Sequence, residues 1–338
     1  MTGPTLHEGA PRTVTVVGGG IAGLALAAAL DARRCEVTVI EAQPERAGAG
    51  SALGILPSAR RALTRLGVWD RLAPAATRPG PAALRRIDGS TMLRVPTAPV
   101  WLVERRHLLA ALEAAVPASV RRVSTTVTGP RELEGDLVVG ADGVRSVVRA
   151  AVTDHPSRLE TPYLALRGIR EVGPEAPFGE YWGAGLLFGL APLADGRAYW
   201  FTTHRSDLGP EPVDVGSALA QARSRFAGGA PIIGETLDGA GPDTLATRLW
   251  TAPPLTRYAC GRYVLVGDAA HASLPNLGRG ANDAILDAVS LAAAVNAGHG
   301  LARWQARRLP ATQAARATAS TLMRVALSGR VSGLSLRR

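Results

Sequence analysis

At 338 residues the chain is long enough for about two domains, and a hydrophobic fraction of 46% excludes disorder over most of its length. All 38 basic residues are arginine, so Schiff-base lysines, a P-loop lysine and a lysine general base are excluded. The net charge of +10 comes from scattered arginines with only 4% aromatics. Nucleic-acid binding needs basic residues clustered on one element with interleaved aromatics, so none is expected.

The opening "MTGPTLHEGAPR" is polar and loop-like, with no apolar signal-peptide core. Then "RTVTVVGGGIAGLALAAALDARRCEVTVIEA" reads as a βαβ unit: strand Thr13–Val17, helix Gly20–Asp31, strand Glu36–Ile40. Gly18, Gly20 and Gly23 form G-x-G-x-x-G at the strand-to-helix turn. The first glycine permits the tight turn, the second lets backbone approach a pyrophosphate, and the third lets helix and strand pack closely. The amides of the helix start, Ile21 and Ala22 included, then face the phosphates. Glu41 ends the second strand, where an acid hydrogen-bonds ribose hydroxyls and disfavours a 2′-phosphate. The site therefore suits FAD or NAD. The run "IAGLALAAAL" is too short to span a membrane. Cys35 and Cys260 show no metal-ligand spacing and read as thiols of a reducing compartment, with no metal site.

A second strand and turn occur at "DLVVGADGVRSVVR", with Asp142-Gly143 in the turn. "LLFGLAPLADGRAYWFTT" reads as a hairpin turning at Ala194-Asp195-Gly196, and the Gly/Pro-rich stretch 227–242 as a surface loop. The segment "YVLVGDAAHASLPNLGRGANDAILDA" runs from a buried strand through Gly267-Asp268 and a small-residue stretch into a helix near Gly280. An aspartate at a strand end, with a helix N-terminus aimed back at it, suits an anionic or hydroxyl-rich ligand. Asp268 also suits a helix N-cap, and His271 a packing histidine.

Together these segments resemble the class A FAD-dependent monooxygenases, the para-hydroxybenzoate and salicylate hydroxylase group, from about residue 13 to 316. The resemblance implies an α/β fold: a Rossmann-type, glutathione reductase-like FAD-binding domain interleaved with an antiparallel-sheet substrate domain and a C-terminal helix. The FAD-binding domain would take 1–72, 101–150 and 256–300, the substrate domain 73–100 and 151–255, and the C-terminal helix 301–338. It further implies that Asp142-Gly143 assists FAD and the nicotinamide cofactor, and that Asp268 accepts from a ribityl hydroxyl. "LGILPSARRALTRLGVWDRL", with Gly54, would pass beside the isoalloxazine. "VERRHLLAAL" would place Arg105 beside the flavin and Arg106 in solvent. Pro275 and Gly278 would line the flavin front, and Gly280, Ala281 and Asn282 would aim their amides at its N1–C2=O edge.

The chain departs from the family pattern at Ser58, Arg279 and Leu286-Asp287-Ala288, and 23 residues separate Leu112 from Asp136. The crossover there is trimmed to "VRRVSTTVTGPREL", leaving Val127 as the adenine-side candidate. No thioredoxin-like domain is expected to follow.

Strand alternation groups Tyr163, Ala165 and Arg167 on one side of a strand, and Trp200, Thr202 and His204 on one side of another. Each set mixes bulk with a polar group, so Arg167, Trp200, Thr202 and His204 are the substrate candidates. Arg167 would pair with a carboxylate, phenolate or carbonyl.

The implied chemistry is reduction of non-covalent FAD by NADH or NADPH as transient co-substrate. Reaction with O2 to a C4a-hydroperoxide follows, then oxygen transfer to an aromatic or polyketide-like small molecule. An epoxidase, a Baeyer–Villiger enzyme and a non-catalytic flavin-binding protein remain open. The absent lysine and the absent W-x-W-x-I-P signature argue against a flavin-dependent halogenase. The expectation is a cytoplasmic monomer or homodimer with no membrane span.

Overall fold

The computed structural model describes residues 12–43, 50–173, 175–209 and 211–328. The expectations for the first eleven residues and for the end of the C-terminal segment, 329–338, lie outside them.

Strand β1 (Thr13–Val17) is β-branched throughout, which favours a pleated surface. It lies inside a six-stranded sheet ordered β14 (Ala259–Cys260), β15 (Tyr263–Leu265), β8 (Leu137–Gly140), β1, β2 (Glu36–Glu41) and β7 (Arg121–Ser124). All neighbours run parallel except the short β14. Parallel strands are covered on both faces, and β8 is accordingly buried along its whole length. Helix α1 (Ile21–Ala29) packs between α4 (Arg105–Glu113) and α8 (Gly280–Asn296), and all three share one apolar core with the sheet. Between β7 and β8 the chain holds only a 3-10 turn, Pro130–Glu132, so the crossover is short.

The second sheet has seven strands, ordered β13 (Leu245–Thr251), β9 (Leu159–Glu171), β12 (Arg197–Arg205), β11 (Leu186–Pro192), β10 (Gly179–Gly183), β4 (Ala82–Arg86) and β5 (Thr91–Val95). Its pairings are antiparallel except β10 with β4. The β11–β12 hairpin turns through Asp195 and Gly196, at φ 61° and 71°. A two-stranded ribbon, β3 (Ala52–Ile55) with β6 (Trp101–Glu104), brackets α2 (Pro57–Arg65), α3 (Trp69–Leu72) and the excursion to β4 and β5.

Helices α5 (Val215–Arg225) and α6 (Pro231–Asp238) cover the outer face of this sheet. The loop expected over 227–242 therefore contains a helix. Pro231 sits in its first turn, where a missing N–H costs nothing, and Ile233, Thr236 and Leu237 are buried at helical spacing. The short α7 (Asp268–His271) precedes α8. Helix α9 (Leu301–Ala326) then spans both sheets: Leu301 and Trp304 enter the first core, while Ala319, Met323 and Ala326 pack on Tyr163, Ala165 and Leu187. Among the described residues no helix is long and apolar enough to cross a membrane.

Candidate active site

The three fingerprint glycines have three different surroundings. Gly18 has φ 104°, and a Cβ there would meet the Ala141 carbonyl oxygen at 2.4 Å. A Cβ on Gly23 would lie 1.9 Å from the Gly18 carbonyl oxygen, so only glycine lets α1 approach this closely. A Cβ on Gly20 would meet nothing within 4 Å, which leaves that point open to a ligand. The first intrahelical bond of α1 runs from Leu24 to Gly20, so the amides of Ile21, Ala22 and Gly23 precede it and face the open side. Glu41 is held at its strand end by the amides of Gly19 and Gln43, at 2.7 and 2.8 Å. Its carboxylate stays half-buried, with acceptor capacity left for hydroxyls. Val127 packs at the edge of the first core beyond β7.

Asp142 closes the turn after β8. Its Oδ2 accepts from the amides of Val147 and Val148, at 2.8 and 3.3 Å, while its Oδ1 is buried with no partner among the described residues. Burial raises the Asp142 carboxyl above its ordinary value, against the hydrogen bonds that favour its charge. Gly143 follows at φ 73°. Arg149, the last residue of the same motif, is 1% exposed and donates to the carbonyls of Ala269, Ala270 and Pro253. Burial depresses its guanidinium to about 10. It thus fixes the segment that carries Asp268, a role the sequence reading did not assign.

Gly267, at φ 58°, wedges between α1 and α8: a Cβ there would meet Ala284 at 3.1 Å and Ala22 at 3.2 Å. That contact places Asp268 where α1 and α8 converge. Asp268 is exposed and its carboxylate makes no hydrogen bond among the described residues, and Gly267 rather than Asp268 is the N-cap of α7. The Gly280, Ala281 and Asn282 amides precede the first bond of α8, from Asp283 to Arg279, and have no partner among the described residues. Pro275 opens a 3-10 turn that ends at Gly278 in the left-handed conformation, φ 60°, and both are exposed. The Asn282 side chain has a different task from its amide. It accepts from the Leu56 amide and donates to the Gly54 and Gly278 carbonyls, so it clamps the loop rather than facing a ligand.

Arg105 starts α4 with its amide bonded to the Ser51 carbonyl at 2.9 Å. Burial lowers its guanidinium from the ordinary value, Asp268 opposes that shift, and Arg167 adds to it. These three side chains therefore lie within electrostatic reach of one another, though they come from three distant parts of the chain. Arg106 is exposed and ion-paired with Glu104 at 2.8 Å.

The substrate-side expectation needs correction. Arg167 pairs with Phe201 across β9 and β12, and Trp200 pairs with Gly168. Cross-strand partners share a face, so Arg167 stands with Phe201 and Tyr199, while Trp200 stands on the opposite side. Trp200, Thr202 and His204 are 2%, 0% and 0% exposed. Trp200 joins the outer core beneath α5 and α6, and His204 Nε2 meets Gln221 Oε1 at 3.0 Å. Trp200, Thr202 and His204 are thus on the packing side, not beside Arg167. Alternation alone sorts each strand into two sets; only register shows which sets of neighbouring strands coincide. The inner face carries Arg167, Tyr199, Phe201, Glu180 and Trp182, with Trp182 Nε1 donating to Glu180 at 2.7 Å. Burial raises both the Glu180 carboxyl and the Tyr199 phenol.

His271 is 4% exposed, and its Nε2 meets Asp287 Oδ2 at 2.6 Å. Asp287 also accepts from the Gly267 amide at 3.0 Å and from Arg308 Nε at 2.6 Å. Desolvation disfavours both ions, but their mutual attraction wins: the imidazole is raised and the carboxyl lowered. This network ties α7, α8 and α9 behind Asp268. The Asp287 that departs from the sequence pattern only in its preceding Leu286 is its centre.

The chain matches the FAD binding domain model over residues 103–315 and the NAD(P)-binding Rossmann-like domain model over 16–52. It is 31% identical to the aurachin C monooxygenase/isomerase of Stigmatella aurantiaca, over 88% of this chain and 85% of that one. It is 30% identical to the 3-amino-4-hydroxybenzoate 2-monooxygenase of Streptomyces cremeus, over 88% and 84%. The crystal structure of Klebsiella pneumoniae HpxO with FAD and uric acid superposes with a TM-score of 0.82 at 23% identity, covering 95% of this chain and 90% of that one. The protein belongs to the class A FAD-dependent monooxygenase family. It is an FAD-binding oxidoreductase, and the open point at Gly20, the orphaned Asp142 Oδ1 and the free α8 amides fit that cofactor.

Proposed function

We propose that the protein uses NADH or NADPH and O2 to insert one oxygen atom into an aromatic or polyketide-like small molecule, as a cytoplasmic monomer or homodimer. The convergence of the α8 N-terminus, Asp268 and Arg105 opposite the sheet face that carries Arg167 supports this reading. When bound, FAD supplies the hydride and oxygen chemistry. Glu41 accepts from the adenosine ribose, the amides of Ile21 and Ala22 face the pyrophosphate, and Asp268 accepts from the ribityl chain. The free amides of Gly280, Ala281 and Asn282 stabilise negative charge at the pyrimidine edge, where a helix N-terminus carries a partial positive charge. Arg105 would add a cation beside the flavin, and Pro275 and Gly278 would line its front, where small residues leave space for oxygen and substrate.

On the substrate side, Arg167 pairs with a carboxylate, phenolate or carbonyl, and the Tyr199 and Phe201 rings, 5.7 Å apart, form an apolar wall for a flat molecule. The C-terminal half of α9 closes this space from water. Val127 remains the adenine-side candidate. Hydroxylation, epoxidation and Baeyer–Villiger insertion share the same FAD-binding motifs.

The test is 18O2 incorporation during NAD(P)H oxidation with a panel that includes 3-amino-4-hydroxybenzoate, the substrate named for the Streptomyces relative. Substrate-stimulated oxidation with one labelled oxygen in the product is expected. Oxidation that neither aromatic nor polyketide-like compounds stimulate would leave a non-catalytic flavoprotein.

A further inference from the structure

Helix α2 presents Pro57, Arg60, Arg61, Thr64 and Arg65 along one side, and with Trp101 of β6 they line a groove of about 410 Å³. Arg60 lies 4.4 Å from the Trp101 ring centre and 5.1 Å from that of Trp69, and Arg78 lies 5.9 Å from Trp101 on the groove's flank. Stacking uses the face of a guanidinium and leaves its in-plane N–H groups free. Among the described residues, the Arg60, Arg61, Arg65 and Arg78 side chains have no hydrogen-bond acceptor and no carboxylate within ion-pair distance. Arg106, Arg197 and Arg308, by contrast, are all ion-paired. A groove lined by three arginines with Arg78 on its flank, and with no paired carboxylate among the described residues, suits a polyanion, and planar N–H forks suit phosphate oxygens best.

The location narrows the ligand. The groove begins at Pro57, one residue beyond the Leu56 amide that Asn282 holds at the start of α8. Its inner end therefore adjoins the flavin-facing loop, and its outer end is open to solvent. We propose that this groove docks the pyrophosphate of the nicotinamide co-substrate, with Arg61 and Arg65 as phosphate ligands and Arg60, stacked on Trp101, as the fixed floor. The inference rests on the reading that a nicotinamide nucleotide is the electron donor.

The test titrates the FAD-loaded protein with ADP-ribose, 2′-phospho-ADP-ribose and inorganic pyrophosphate, followed by calorimetry and by Trp fluorescence. Arg61→Glu/Arg65→Glu should raise the Kd of both nucleotides and the KM for the coenzyme at least tenfold, with FAD content and melting temperature unchanged. Trp101→Phe should remove the fluorescence response. Arg303→Glu/Arg307→Glu, the same charge change on the exposed side of α9, should leave the Kd within twofold. Equal losses in the two double variants would mean a long-range field, and an unchanged Kd in the α2 variant would mean no site; either overturns the inference. Inorganic pyrophosphate binding as tightly as ADP-ribose would reduce the groove to a plain anion site and overturn it too. Tenfold weaker nucleotide binding in a protein that oxygenates no substrate would uphold the docking site while rejecting the monooxygenase reading.

Discussion

Asn282 holds Leu56 across 226 residues of sequence, with its Oδ1 2.8 Å from the Leu56 amide. Its Nδ2 donates to Gly54 and Gly278, also at 2.8 Å, so one buried amide joins β3, the loop after Pro275 and the start of α8.

Asn282→Leu should orphan one backbone N–H and two carbonyls, at about 1–3 kcal/mol for each that stays dry. The loop would loosen and FAD would bind at least tenfold more weakly. Thermal melting and FAD titration check this. A variant with native melting and native FAD affinity would show that the clamp is dispensable.

Glu41→Ala and Asp268→Ala should differ in a diagnostic way. Glu41 already anchors two amides, so its loss should lower both apoprotein stability and FAD affinity. The Asp268 carboxylate is exposed and has no hydrogen-bond partner among the described residues, so Asp268→Ala should weaken FAD by about 1–3 kcal/mol while leaving apoprotein melting unchanged. Equal FAD retention in folded Asp268→Ala would remove that residue from the site.

Arg105→Ala should slow flavin reduction by NAD(P)H much more than Arg106→Ala, because Arg105 is half-buried within electrostatic reach of Asp268 and Arg167 whereas Arg106 is exposed and pairs with Glu104. Stopped-flow reduction is the measurement, and equal effects would assign both to general surface charge.

Arg167→Leu and Trp200→Ala separate the two faces of the second sheet. Arg167→Leu should raise KM and increase uncoupled peroxide release with melting unchanged. Trp200→Ala should cost about 3–5 kcal/mol of stability, as expected for a buried aromatic, with no selective effect on coupling. A coupling defect in Trp200→Ala at full stability would contradict the face assignment.

The buried His271–Asp287 pair predicts a pH dependence. The imidazole is raised in the folded state, so its stabilisation is fully present below the unfolded value of about 6.5. It is lost as pH rises through the higher folded value. The Asp287 carboxyl is lowered, so its contribution is present above its unfolded value and is lost only as pH falls through the folded one. Melting of the wild type should therefore decline on the alkaline side of about pH 6.5 relative to His271→Gln. Parallel melting profiles would show that the imidazole does not titrate across that window.

What the sequence determined by itself was the local chemistry. The glycine spacing at 18, 20 and 23, the acid at 41 and the strand-turn motifs at 142 and 268 each depend on a few neighbouring residues, because backbone conformation and helix-end charge are local properties. The FAD fold and the family followed from their joint occurrence. Tertiary structure decided whatever needed two distant segments. Strand periodicity fits both faces of a sheet equally, and only the pairing of Arg167 with Phe201 puts Trp200 on the far side. Whether a buried polar side chain binds a ligand or braces the fold depends on its partners. Asn282, Arg149 and Asp287 are bracing residues because carbonyls, amides and cations from other elements occupy them. The Asp268 side chain has no hydrogen-bond partner among the described residues and lies where Gly267 lets α1 and α8 converge.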